Sequence, residues 1–65
     1  MKIRVKEFKT GQEERDLGEI DFPIIPMRNS IIYLSKDGPI YTMNGMYTTI
    51  IDGKVTEQYL EIEEL

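Results

Sequence analysis

The sequence predicts an all-β protein: a small five-stranded antiparallel barrel or half-barrel with a long, bulged C-terminal hairpin. Three observations carry that prediction. Apolar and polar residues alternate with a period of two along most of the chain, the spacing of a half-buried strand. Alanine, the best helix former, is absent from all 65 residues, while β-branched residues and tyrosine are abundant. Clusters containing Gly, Asn or Pro interrupt the alternation at short intervals, as turns between short strands do. A chain of 65 residues has room for one domain, residues 1–65.

The first strand is predicted over Lys2–Phe8, with Ile3 and Val5 on one side and Lys2, Arg4 and Lys6 on the other. Lys9-Thr10-Gly11-Gln12 is a turn. Residues 13–20 read as a weak second strand, with a short amphipathic helical turn as the alternative. Here Leu17, Ile20 and Phe22 recur without clean alternation, and Gly18 signals a bulge or a bend. Pro23 and Pro26 bracket Ile24-Ile25. Neither proline can donate to a ladder, so this stretch is an extended connector or an edge.

The third strand spans Ile31–Ser35 and ends in the turn Ser35-Lys36-Asp37-Gly38-Pro39. The fourth, Ile40–Ile51, is long and carries Asn44-Gly45 in its middle, read as a bulge that bends it. Asp52-Gly53 is a two-residue hairpin signal, and the fifth strand follows over Lys54–Glu61. Side-chain parity then gives an inward set: Ile3, Val5, Ile32, Leu34, Tyr41, Met43, Leu60 and Ile62, joined by Ile50 or Ile51. The bulge shifts the phase, so Met46 and Tyr47 cannot both face inward. Tyr59 faces away from Leu60 and Ile62.

The order Pro26, Ile32-x-Leu34, a Gly-containing turn, Tyr41-x-Met43 and a hairpin ending in Tyr59-Leu60-Glu61-Ile62 resembles short SH3-like β-barrel proteins of phages and prophages. The likeness covers about Phe22–Ile62. Where that group carries a Gly-Asp pair, this chain has Asn29-Ser30, preceded by Met27-Arg28. The resemblance implies a small SH3-like barrel and no particular activity.

Composition narrows the chemistry. The chain has neither cysteine nor histidine, so disulfides are impossible and the commonest zinc ligands, general bases and thiol nucleophiles are missing. Ser30 and Ser35 sit at turn positions where serine is usual. Asp16, Glu19 and Asp21 are close enough to bind a hard cation, but no calcium-loop spacing accompanies them, and solvated acids are the preferred reading. Glu61, Glu63 and Glu64 form an acidic tail. No catalytic residue, cofactor or metal is expected, and the protein is expected not to be an enzyme.

The net charge of −4 disfavours nucleic acid, whose affinity for proteins rests on cations at phosphates. The Lys2/Arg4/Lys6 stripe is better explained by pairing inside the sheet with Glu57 and Glu61, worth roughly 0.2–1 kcal/mol per pair. The N-terminus has no leader pattern, and no apolar run approaches the roughly 20 residues that span a bilayer. A cytoplasmic protein without membrane partners is expected, in the host cytoplasm if phage-encoded.

What remains is binding. Tyr47, Tyr59 and Tyr33 are candidates for an outer aromatic patch, suited to contact because a tyrosine ring is apolar while its hydroxyl stays wet. Such a face supports self-association into a homo-oligomer or docking on a protein partner. The alternative is a nucleotide ligand, sequestered as some small phage proteins sequester host immune signals. There Tyr47 or Tyr59 would stack a base, and Arg28 with the amides of Asn29 and Ser30 would meet phosphate.

Overall fold

In a computed structural model covering all 65 residues, the alternating segments form five strands and no helix. They are β1 (Lys2–Phe8), β2 (Arg15–Asp21), β3 (Ile31–Tyr33), β4 (Ile40–Ile51) and β5 (Lys54–Glu64). All five join one curled, half-barrel sheet in the order β2-β1-β5-β4-β3. The terminal strands meet, as small barrels favour, but β1 and β5 run parallel, from Arg4 opposite Tyr59 to Phe8 opposite Glu63. The sheet is therefore mixed, which corrects the expectation of an all-antiparallel one. Hydrophobic alternation fixes which face a residue takes and carries no information on strand direction.

Two of the three register shifts fall where glycine signalled them, and the third, between Thr49 and Ile50, leaves Thr56 of β5 without a partner. In β2 the register slips between Val5, opposite Gly18, and Lys6, opposite Asp16. Gly18 has φ 83°, a left-handed conformation that side chains resist. The residue inserted there is Leu17. That is why Leu17 and Ile20 pack on the same core despite their uneven spacing. Residues 15–21 are strand, so the helical alternative for this stretch does not form. In β4 the register slips between Met43 and Gly45. Beyond the slip Met46 packs toward the core and Tyr47 is exposed, which decides between the two. At the hairpin tip, Asp52 (φ 52°) and Gly53 (φ 77°) are both left-handed, the signature of the tight turn that matches strand twist.

The core is small: Ile3, Val5, Tyr41, Met43, Leu60 and Ile62, with Leu17, Ile20, Phe22, Ile32 and Met46 packed around it. Leu60 and Ile62 are wholly inaccessible because β5 is central and its inner face is covered. Two expectations for the core fail. Leu34 lies beyond the end of β3 and is exposed. Neither Ile50 nor Ile51 is buried, at 63% and 56% exposure. The reason is length. β3 covers β4 only over Ile40–Thr42, and β1 covers β5 only from Tyr59 onward. The remaining parts of β4 and β5 project as a two-stranded arm, and the molecule measures 42 × 32 × 19 Å.

Candidate functional site

The arm meets the body at Tyr59. This residue lies on β5 opposite Tyr47 of β4 and opposite Arg4 of β1, on the outer face of the sheet. The Tyr47 and Tyr59 rings stack with centroids 5.4 Å apart and planes inclined by 20°. The Lys6 ammonium lies 4.3 Å from the Tyr59 centroid, a cation–π contact, and 3.7 Å from Glu57 Oε1. The Tyr59 hydroxyl donates to Glu14 Oε1 across a long 3.4 Å. Burial raises the Tyr59 pKa above 10.0, aided by the nearby Glu14 carboxylate. The phenol therefore stays protonated at neutral pH and serves as a donor.

Two of the three cations in the stripe are paired within the sheet. Arg4 donates to Asp16 Oδ2 at 2.6 Å, and Lys6 approaches Glu57. The expected partner Glu61 accepts instead from Asn44 Nδ2 at 3.1 Å. Asp16 also accepts from the Gly18 amide at 2.8 Å. That amide, followed by Arg4, holds the Asp16 pKa below 3.8 against the desolvation that opposes it. Asp21 accepts from the Met1 ammonium at 2.6 Å. Two members of the Asp16/Glu19/Asp21 set are thus engaged with cations, and no three acids converge as a metal site would require.

The six candidate binding residues do not form one site. Tyr47 and Tyr59 are brought together. Tyr33 pairs with Ile40, seven residues along β4 from Tyr47, a strand distance of about 23 Å. Arg28 is exposed in the turn before β3. Asn29 takes φ 70° there, and its N–H donates to the Met43 carbonyl at 2.8 Å. The Ser30 N–H donates to the Met27 carbonyl at 3.0 Å. Both amides are committed, so an anion at Arg28 would meet the guanidinium without them.

Two concavities exist, and neither is lined by any of these six residues. A cleft of 370 Å³ opens where β1 and the arm diverge, bordered by Ile3, Ile25, Met46, Gln58 and Arg4. A smaller one, 130 Å³, is entirely polar and lined by Glu7, Lys9, Gln12, Glu13 and Arg15.

Glu7 is the functional group that sequence reasoning missed. It is 2% exposed, the only buried charge. Its Oε1 lies 2.8 Å from a guanidinium nitrogen of Arg15, but no N–H points at the oxygen, so the contact is ionic rather than a directed hydrogen bond. The Tyr41 hydroxyl faces the same carboxylate. Burial, then repulsion from Glu7 and Glu64, raises its pKa above 10.0. The signal was available: Glu7 shares parity with Ile3 and Val5 on β1, and strict alternation points all three inward.

No protein-family model, curated protein or solved structure matches this chain. The resemblance to short SH3-like barrels stands on the residues quoted for it alone. No helix is long and apolar enough to cross a membrane.

Proposed function

We propose that this chain is a non-enzymatic binding module that docks on a protein partner through the outer face of its arm, centred on the Tyr47–Tyr59 stack. The observation that carries the reading is an apolar arm with no cover. Tyr47 and Ile51 share the outer face and are each about half exposed, while Ile50 and Val55, about 60% exposed, lie on the reverse face of a projection that the rest of the sheet does not shield. The molecule exposes 4962 Å², against about 4,300 Å² expected of a folded monomer of 7.6 kDa. Rigid aromatic side chains at the root of the arm have the character of interface anchors, since they are ordered by stacking before a partner arrives.

The same geometry favours docking over nucleotide sequestration. The two tyrosine rings are closed on each other and leave no slot for a base between them. Arg28 lies on a separate turn, and the amides proposed to assist it are spent. The test is a photo-crosslinking residue introduced at Tyr47, with a second at exposed Glu19 as control. Adducts to one protein from Tyr47 and none from Glu19 support the reading. Equal labelling from both positions, or none from either, removes it.

A further inference from the structure

We infer that the free edge of β4, Met46–Ile51, is a self-pairing seam. Two copies of this chain join there antiparallel across a two-fold axis at Thr48. The inference rests on the proposed reading of the arm as a binding element, but it concerns the edge of the arm rather than its tyrosine face.

The backbone supplies the first argument. β3 pairs with β4 over Ile40–Thr42, and Met43 extends the contact by donating to the Ser30 carbonyl at 3.0 Å. Beyond Met43, no backbone hydrogen bond outside the ladders reaches residues 46–51. In a two-residue hairpin the flanking pair, here Ile51 and Lys54, is a hydrogen-bonded one. Alternation then turns the backbone groups of Thr49 and Tyr47 toward β5. Those of Ile50, Thr48 and Met46 turn away from it, into open space. The edge thus presents three N–H donors and three C=O acceptors. A two-fold at Thr48 sets Met46 opposite Ile50 of the second copy and Thr48 opposite Thr48, and every one of the six groups is matched.

Side chains and charge supply the second. The stretch MYTTII has no charge, no proline and no glycine, and four of its six residues are β-branched. Natural edges are guarded by lysine, proline or a bulge; this one carries no lysine or proline, and the register shift between Thr49 and Ile50 inserts Thr56 on β5 and leaves β4 itself without an extra residue. The chain as a whole is at −4, so most surfaces of two copies repel each other. Along this seam the facing pairs are Met46–Ile50, Tyr47–Thr49 and Thr48–Thr48, with no like charges opposed. Aromatic–β-branched and Thr–Thr pairs of this kind favour pairing. The β5 edge of the arm is less suited, because it carries Lys54 and Glu57.

The experiment is light scattering on the eluting full chain across a concentration series, with three variants. The expected result is a concentration-dependent shift from 7.6 kDa to twice that mass. Thr48→Lys, which sets two ammonium groups together at the axis, weakens the dimer at least tenfold. Gln12→Lys, the same charge in the exposed turn between β1 and β2, leaves it unchanged. Thr48→Cys, the only thiol in the chain, gives a disulfide-linked dimer under mild oxidation. Circular dichroism confirms that each variant keeps its strands, and should Thr48→Lys not fold, the Thr48→Cys crosslink decides. A monomer at every concentration overturns the inference, as does a dimer that survives Thr48→Lys or fails to crosslink through Thr48→Cys. A monomer that still gives Tyr47 adducts to another protein overturns the seam and leaves the docking reading intact. A crosslinked dimer without such adducts does the reverse.

Discussion

The body and the arm are made from the same two strands and obey opposite rules. In the lower half of the β4–β5 hairpin, Tyr41 and Met43 face inward, and Met43 pairs with Ile62 beneath the cover of flanking strands. In the upper half, Ile50 pairs with Val55, and both are about 60% exposed. Residue type is a poor guide to the difference, since both halves carry large apolar side chains. What differs is the number of neighbours across the sheet. A five-stranded section buries its inner face, whereas a two-stranded one has no inner face to bury and is at best marginally stable alone. The arm is held by its continuity with the body, by the Asp52-Gly53 turn and by the Tyr47–Tyr59–Lys6 stack at its root.

The comparison is broken most severely by cavity mutations. Leu60→Ala, at a wholly buried site, should cost about 2–5 kcal/mol in urea denaturation, enough to unfold a domain of this size. Val55→Ala in the arm should cost about 0.5 kcal/mol or less, the range of exposed substitutions. Similar losses at the two positions would mean that the arm is as well packed as the body.

Arg15→Ala comes next. It strands the Glu7 carboxylate in the core, and breaking a fully buried pair costs about 3–5 kcal/mol. Arg15 is 66% exposed, so water can replace much of it, and a loss of about 1–2 kcal/mol is expected in the same denaturation assay. Adding Glu7→Leu to that variant should restore most of the stability. A double variant less stable than Arg15→Ala would show that Glu7 holds the body together by more than this pair.

A smaller effect belongs to the arm. Gly53→Ala places a side chain at φ 77° and should cost about 1 kcal/mol, felt locally. Amide exchange should accelerate at Thr49 and Ile51 and stay unchanged at Leu60. Uniform acceleration would mean that arm and body open as one unit.

The pH response is the mildest. The Asp16 pKa is depressed in the folded protein, chiefly by the Gly18 amide, so its contribution is present above the unfolded carboxylate pKa and is lost as pH falls below 3.8. Tyr41 and Tyr59 have raised pKa values, chiefly through burial. Their contribution is full below 10.0 and is lost as pH climbs through the higher folded values. Melting temperature followed across both limits checks the two signs. Asp16→Asn should flatten the acid limb, and Tyr41→Phe the alkaline one.

Much of the architecture was legible from residues. The starts of β1, β4 and β5 came from alternation bounded by turn residues, and the bulges at Gly18 and Asn44-Gly45 from glycine inside a strand pattern. The stacking of Tyr47 on Tyr59 was half legible. Parity placed both on the outer face, but only the cross-strand register made them neighbours. Tyr33 shares their outward orientation and lies far along β4, a separation that parity cannot express. Parity points Leu34 and one of Ile50 and Ile51 inward, yet all three are exposed, because parity names a face without saying whether anything covers it. Glu7 was passed over because its charge outweighed its position in the reading of β1.

By itself the sequence determined the all-β class, the places where β1, β3, β4 and β5 begin, the bulges at Gly18 and Asn44-Gly45 and the turn at Asp52-Gly53, because these follow from side-chain period and from backbone angles that few residues tolerate. Only the tertiary structure decided that β1 and β5 run parallel, that β3 stops at Tyr33, that the β4–β5 hairpin outgrows its neighbours, and that Glu7 is enclosed. Those outcomes depend on which strands lie side by side and for how long. That choice is made by packing between distant segments, and a local pattern does not record it.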